Sequence, residues 1–490
     1  YAVGMSSLGF QTLYREMNLH PGVSAERAFL PDSPEEYRRR RVPVFTYENE
    51  TPLGDFPVVA FSIAWELELP GLLEMLDSSG IPLRREDRSG AHPLIVAGGP
   101  LSVSNPVVLA PFVDLVCLGE GEDLVHTFLE QAPGTPKADL LGRLGRVPGF
   151  YVPGVSPGIP APARADDARL PACSQIVTRR AVWASMFLVE AGRGCSRGCA
   201  YCVMRRSERG GLRPVPADRV LGRIPGSATR VGLVGAAVTD HPDIIPLARA
   251  IVASGRRIGV SSLRADRLDE ELVGILSEGG YRTLTTASDG LSERLRAAVG
   301  RQTTEQHLIR AAGLVRSCRM QRLKLYQMIG LPGETGEDVD ECIRFSLELS
   351  KICPLSLSVA PFVPKRNTPL GGAPFEPVAC DVFVTDHSSV HFDVAYLGTP
   401  VVYAHFDPEE YAEGHASTSW FVHERDGFGP VVATVEETID ALEEILARGC
   451  TLEPRYRERV DAAFTFRDHD NSARMVAAVE RQVASVRAAG

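Results

Sequence analysis

At 490 residues the chain is long enough for about three domains of roughly 100–200 residues each, and at 44% hydrophobic residues each can bury a core. A formal net charge of -10 excludes a broad electrostatic nucleic-acid footprint, which needs a basic domain or stripe. No apolar run reaches the roughly 18 residues of a membrane helix, and no charged stretch followed by an apolar one opens the chain as a leader would; no membrane span and a cytoplasmic location are expected.

In chain order, residues 1–147 alternate apolar strands at 57–62, 93–100 and 114–119 with helical stretches such as 69–78. This rhythm predicts an α/β domain with a doubly wound, Rossmann-like parallel sheet. The one basic run, Arg38 to Arg41, reads as a solvated helix end or, less simply, as an anion or RNA contact. The chain opens on Tyr1 and lacks the edge strand expected before it, which points to a trimmed start. Residues 148–180, richest in Pro, Gly and Ala up to about 172, read as a linker. Residues 181–378 hold six strand candidates, beginning near Phe187, Arg230, Arg257, Thr283, Leu323 and Leu355. Crossover helices such as 269–277 and 338–349 fit between them. Six β/α units in succession predict a partial (β/α)6 barrel with its chemistry at the carboxyl ends of the strands. From 379 to 490 the character changes to two strands, 382–385 and 400–405, each followed by helix.

The ten cysteines are too sparse for a disulfide scaffold, yet three of them cluster in Cys195-Ser196-Arg197-Gly198-Cys199-Ala200-Tyr201-Cys202, directly after the first barrel strand. Thiolates spaced C-x3-C-x2-C can hold three irons of a cubane cluster and leave one iron open. A structural zinc site is the alternative; it wants a fourth ligand nearby, and the next cysteine is Cys318. Arg193 and Arg197 flank the loop and are expected to offset the charge of thiolate-bound iron.

The spacing, with an aromatic residue before the last cysteine, resembles radical S-adenosylmethionine (radical SAM) enzymes. The resemblance implies a 4Fe-4S cluster on Cys195, Cys199 and Cys202. It implies S-adenosylmethionine on the open iron, reductive cleavage to a 5′-deoxyadenosyl radical, and hydrogen abstraction from a substrate that the sequence leaves unknown. It also implies an electron donor such as flavodoxin or ferredoxin. Tyr201 would lie against the adenine. The turn after the second strand, Gly235-Ala236-Ala237, lacks the family's Glu, so its backbone carbonyls, those of Gly235 and Ala236 foremost, are expected to meet the methionine amino group. After the fourth strand, Ser288 and Asp289 are candidates to bond the ribose or carboxylate, the alternative being helix caps. Gly330-Leu331-Pro332-Gly333-Glu334-Thr335 resembles the family's turn beside the adenine, with Gly330 and Pro332 as contacts.

Ala97-Gly98-Gly99-Pro100, Gly119-Glu120-Gly121-Glu122 and Pro361 to Pro369 resemble a group of radical SAM proteins with a cobalamin-binding-like front domain. The D-x-H-x-x-G loop that supplies a cobalt ligand is absent around His20, which reads as a loop histidine; cobalamin held without histidine stays open. Gly98 and Gly99 either admit a ligand or only form a βα turn.

A second resemblance starts at Thr385-Asp386-His387-Ser388-Ser389, with Phe392-Asp393, Gly398-Thr399-Pro400 and Asp426 to Pro430. It is similar to the carboxyl end of CDP-glycerol glycerophosphotransferases of the teichoic-acid type, part of one GT-B lobe. Ser388 and Ser389 can offer a phosphate a helix start, or simply cap the helix. The acceptor lobe and catalytic histidines of that family lie upstream, where the barrel stands instead, and the barrel's sixth helix is missing near residue 378. A fusion of two cut domains is expected. Glycerophosphate transfer or nucleotide-phosphate binding by the tail is the alternative function; a scaffold that merely stores a cluster is a third.

Overall fold

The structure, a computed structural model, describes residues 1–204, 211–372, 381–385, 390–406 and 421–464. It divides into two compact units, Tyr1–Glu376 and Pro377–Gly490.

The first unit opens with a four-stranded sheet in the order β1 (Val58–Ser62), β2 (Leu94–Gly98), β3 (Leu115–Cys117), β4 (Phe150–Tyr151). The first three strands are parallel and β4 is antiparallel to β3. Alternate residues of a strand face opposite sides, and here both sides are apolar. Ile95 and Ala97 join Leu72, Leu76, Leu101 and Leu109 in one core, while Leu94 and Val96 join Leu124, Phe128, Leu140 and Leu144 in the other. Double burial explains why β2 reads as an unbroken apolar run. The doubly wound expectation needs correction. Helices cover both faces, but the strand order never reverses and the last strand runs antiparallel. Rhythm along the sequence carries no information on strand order.

The Pro/Gly/Ala-rich stretch after residue 148 is not a free tether. Phe150 and Val152 are fully buried, Ala163 bridges Gly119 in parallel, and Cys173 bridges Val189. Leu170 and Cys173 lie in the barrel core.

The six barrel strands start where the sequence placed them: β5 (Phe187–Glu190), then β8 (Arg230–Val234), β9 (Arg257–Val260), β10 (Thr283–Ala287), β11 (Arg322–Ile329) and β12 (Leu355–Pro361). Between β5 and β8 lies a short antiparallel ribbon, β6 (Gly192–Arg193) with β7 (Arg213–Pro214). The barrel strands form two parallel sheets, β5-β8-β9 and β10-β11-β12. One isolated bridge, Leu263 to Thr286, connects them. The helices Ile244–Ala253, Glu270–Glu278 and Glu305–Ser317 cover the outer face, placing Leu247, Ile251, Leu272, Leu276, Leu308 and Val315 on the strands. Their starts are chemically marked. Asp269 accepts from the Leu272 amide at 2.8 Å, and Thr304 caps its helix reciprocally with His307; a cap of this kind is worth about 1 kcal/mol. No helix follows β12 within 362–372. Its outward Leu357 and Val359 stay 40% and 38% exposed, the apolar surface expected where a sixth helix is missing.

The second unit has a parallel sheet β13 (Phe383–Thr385), β14 (Val401–Ala404), β15 (Val431–Val432). Helices Val390–Tyr396, Val435–Ala447 and Pro454–Ala463 accompany it. Its core gathers Val401, Tyr403, Phe428, Tyr456 and Val460. Ser388 and Ser389 lie outside the described residues.

Candidate active site

The end of β5 delivers the chain through Gly192 and Arg193 into the cysteine loop. The Cys202 amide donates to the Cys199 carbonyl at 3.2 Å, closing a tight turn, and the Ala200 amide donates to the Val299 carbonyl at 2.8 Å. The Arg197 amide points at Cys195 Sγ, 3.5 Å away, and Cys199 Sγ lies 3.8 Å from the Gly300 carbonyl. All three cysteines are free thiols; Cys199 is buried and the other two are half-buried. Burial pushes the Cys202 thiol up, and the Cys199 and Cys195 thiolates add to the shift. Among the described residues no group of three or more His, Cys, Asp or Glu side chains is drawn together as a metal site. The donor set nevertheless suits an iron–sulfur cluster: three free thiols on one loop, electrostatically aware of one another. A bound cation relieves the repulsion that raises Cys202.

The two flanking arginines do not serve as expected. Arg193 is surrounded by carboxylates, Glu190 at 2.7 Å, Glu122 at 2.8 Å and Glu120 at 2.9 Å. Burial works to lower its pKa, but Glu190 and Glu122 more than reverse this and raise it. Arg197 pairs with Asp266 at 3.0 Å and Asp240 at 3.7 Å, and also bonds Gln302. Both cations are neutralised before any cluster charge is considered. The cation that does meet a loop thiol is Arg301, which sequence reasoning missed. Burial alone would lower its pKa; Asp289, Tyr201 and Cys199 raise it. A lone arginine 99 positions beyond the end of the loop gives no sequence signal.

Tyr201 and Asp289, by contrast, come together. The Tyr201 hydroxyl donates to Asp289 Oδ2 at 2.7 Å, and Arg301 Nε sits 3.2 Å from the same oxygen. Burial and then Asp289 push the Tyr201 hydroxyl pKa up. Asp289 has φ 60°, a left-handed conformation uncommon for a residue with a side chain. It caps no helix; Ser292 does, accepting from the Leu295 amide. Ser288 is fully buried, and its hydroxyl donates to the Tyr326 carbonyl at 3.3 Å. The expectation for Gly235 also fails: its carbonyl already accepts from the hydroxyls of Ser261 at 2.9 Å and Ser262 at 3.1 Å. Ala236 beside it is exposed. In the fifth-strand turn, Glu334 folds back to accept the Gly330 amide at 3.1 Å and the Leu331 amide at 3.3 Å, with Pro332 half-buried between. Leu331, Ile329 and the Tyr201 ring share one small apolar cluster.

His20 stands at the end of the helix Leu8–Leu19, bonded to its neighbour Pro21 and stacked on His126 with ring centroids 5.7 Å apart.

Three family models match the chain: radical SAM proteins, N-terminal, over residues 9–153; the radical SAM superfamily over 189–346; and CDP-glycerol:poly(glycerophosphate) glycerophosphotransferase over 377–481. An uncharacterized protein of Methanocaldococcus jannaschii is 28% identical over 345 residues, 68% of this chain and 72% of that protein. The tail is 30% identical over 99 residues to the minor teichoic acid biosynthesis protein GgaB of Bacillus subtilis, 20% of this chain and only 11% of that protein. Among solved structures, the radical SAM methyltransferase TsrM of Kitasatospora setae, with tryptophan and a SAM analogue bound, has TM-score 0.52 at 15% identity, covering 74% of this chain and 72% of that one. The cobalamin-dependent radical enzyme OxsB, with aqua-cobalamin and S-adenosylmethionine bound, has TM-score 0.51 at 14% identity, covering 72% of this chain and 50% of that one. At these identities the structural likeness establishes the fold alone. Since family matches stand on both sides of residue 170 and the fold agrees with them, this chain is an enzyme of the radical SAM superfamily.

Proposed function

We propose that the chain holds a four-iron cluster on Cys195, Cys199 and Cys202 and uses it to cleave S-adenosylmethionine reductively. The cluster, when bound, supplies the electron that breaks the carbon–sulfur bond and so yields a 5′-deoxyadenosyl radical for hydrogen abstraction. The protein's own part is binding, orientation and exclusion of water. Cys199 is buried against Gly300, which shields one side of the loop. Arg301 supplies positive charge at the thiols, and Asp289 holds Arg301 and Tyr201 in one arrangement. Tyr201 and the Gly330-to-Pro332 turn form the apolar wall that suits an adenine, and the backbone carbonyl of Ala236, an exposed residue, suits an ammonium group. A one-electron donor of low potential, of the flavodoxin or ferredoxin type, completes the reaction.

The observation that carries this reading is the loop of three free thiols facing an Arg301–Asp289–Tyr201 network at the carboxyl ends of the barrel strands. The test is anaerobic reconstitution with iron and sulfide, then reduction with S-adenosylmethionine present. About four irons per chain and release of 5′-deoxyadenosine are expected. Iron bound without any S-adenosylmethionine cleavage would favour a mere cluster store.

The tail's family match supports a second reading, nucleotide-phosphate binding. The chain spans about a tenth of its teichoic-acid relatives, and the activity of those proteins is not carried over. Transfer needs a base within reach of the acceptor hydroxyl, and His391, the histidine of the motif that is described, is buried against Tyr403. No CMP release from CDP-glycerol is expected; release that depends on Ser388 and on an acceptor would reverse this.

A further inference from the structure

An open parallel sheet ordinarily offers ligands the crevice at the carboxyl ends of its strands. In the front domain the residues that follow β2 and β3 are packed edge to edge against neighbouring backbone. Gly99 has φ 94°, and a Cβ there would stand 2.6 Å from the Ile63 carbonyl oxygen and 2.9 Å from its nitrogen. Gly119 also has φ 94°, and its Cβ would stand 2.4 Å from the Ala163 oxygen and 2.6 Å from its nitrogen. These glycines make room for neighbouring backbone, where a cofactor-binding sheet makes room for its ligand. The strap after β4 is hydrogen-bonded alongside the residues that follow β3. The Ala163 amide donates to Leu118 at 2.8 Å and the Glu120 amide to Ala163 at 3.1 Å. The amides of Ala165 and Asp166 donate to the carboxylates of Glu120 and Asp123, each at 2.9 Å.

The groups beyond β3 are also committed. Glu120 and Glu122 both reach Arg193, two residues before the first loop cysteine, and all three side chains are largely buried. Glu120 takes Arg213 of the same ribbon as well, and Arg213 pairs with Asp167 at 2.5 Å. Two contacts stand apart from this cluster: Lys365 with Glu66 at 3.0 Å, and the Asn367 side chain with the Val103 carbonyl at 2.5 Å.

We infer that the front domain is a clamp and not a cofactor domain: its strand ends are sealed against cobalamin, and Glu120 and Glu122 position the cysteine loop through Arg193. The inference rests on the radical SAM reading for what the loop carries. Arg193 is a positioning residue, held from three sides so that the backbone entering Cys195 has one direction.

The test uses the full chain, reconstituted anaerobically. Desalted after incubation with cob(II)alamin, wild-type protein is expected to retain none by absorbance; one equivalent retained overturns the sealed-sheet half. Glu122→Gln is expected to lose iron to a chelator about tenfold faster, the scale for partners that orient a metal ligand. Its cluster midpoint potential rises, because one negative charge beside the loop is gone. Glu122→Asp keeps the charge and restores most of the potential. Lys365→Met, at the distant contact, leaves iron release unchanged. Wild-type rates and potential in Glu122→Gln overturn the clamp while leaving the radical SAM reading intact; a wild type that binds no iron sinks that reading and the clamp together. If Glu122→Gln does not fold, Glu120→Gln, which removes the other front-domain carboxylate on Arg193, is read against Lys365→Met instead, equal iron release in both and wild type counting against the clamp.

Discussion

The front sheet and the barrel are built by the same rules as far as the last residue of each strand. Parallel strands, apolar on the covered faces, run into short turns in both, with glycine after β2 and β3 in one and after β5 and β8 in the other. They part at the next residue. After β2 and β3 the turns close on backbone, Ile63 and Ala163, and the polar side chains beyond them are spent on ion pairs. After β5, β8 and β10 the turns leave three free thiols, an exposed Ala236 and a left-handed Asp289 whose carboxylate links a tyrosine and an arginine. A parallel sheet advertises a site at its carboxyl end; what the following segment does there decides whether the site exists.

The sharpest way to break this contrast is at the loop itself. Cys199→Ala is expected to reduce reconstituted iron from about four per chain to background, whereas Cys318→Ala leaves it unchanged, both read by iron and sulfide analysis. Retained cluster in Cys199→Ala would remove the open end from the comparison. The sealed end is tested by Gly119→Ala, whose methyl meets backbone at a positive φ. A loss of about 2–4 kcal/mol is expected in urea unfolding. Ala236→Ser at the open end should stay within about 0.5 kcal/mol. Equal losses at both positions would mean that the two ends are filled alike. Next comes Asp289→Asn, which removes the charge that Arg301 and Tyr201 share. Binding of S-adenosylmethionine to the reconstituted protein should weaken about tenfold, the loss expected for one charge-assisted contact of roughly 1.5 kcal/mol.

The effect confined to acid pH belongs to the tail sheet, where burial and the nearby His423 hold His391 down at about 4 against an ordinary 6.5. The Tyr403 hydroxyl accepts the Phe428 amide and lies 2.9 Å from His391 Nδ1, which takes its proton only while neutral. Because the folded pKa is depressed, the folded tail binds fewer protons than the unfolded one between these values. Its stability is full above about 6.5, falls as the pH drops toward 4, and levels off below. Thermal scans of His391→Phe should lose this dependence.

Much of this was legible in the residues. The barrel strands are apolar runs, as in β5 and β8, or alternate apolar with polar residues, as in β11 and β12, and the crossovers carry capping residues such as Asp269 and Thr304, so the six strands and their order of use could be read directly. The cysteine spacing, with Tyr201 inside it, marked the site. Tyr201 and Asp289 were each singled out, yet their pairing was not, because hydrogen bonds between separate strand ends leave no periodic trace. The same holds for Arg301 and for the carboxylates that disarm Arg193 and Arg197. The segment from 160 to 166 misled for a different reason. Its Pro and Ala side chains say linker, while its attachment runs through the backbone amides and carbonyls of residues such as Ala163 and Ala165, which leave no trace in side-chain pattern.

The single bridge between β9 and β10 has a consequence for the barrel's mechanics. Elsewhere in the wall a change of curvature strains a continuous ladder of hydrogen bonds; here it strains Leu263 and Thr286 alone. The wall therefore has a joint, and the cysteine loop acts as its buckle. The loop starts from β5 on one side, while Val299, Gln302 and Asp289, which it grips through Ala200, Arg197 and Tyr201, follow β10 on the other. Amide exchange along β9 and β10 should accordingly outpace that of β8 and β11, and a filled, stiffened loop should slow it: the state of the thiols is felt as the rigidity of a wall.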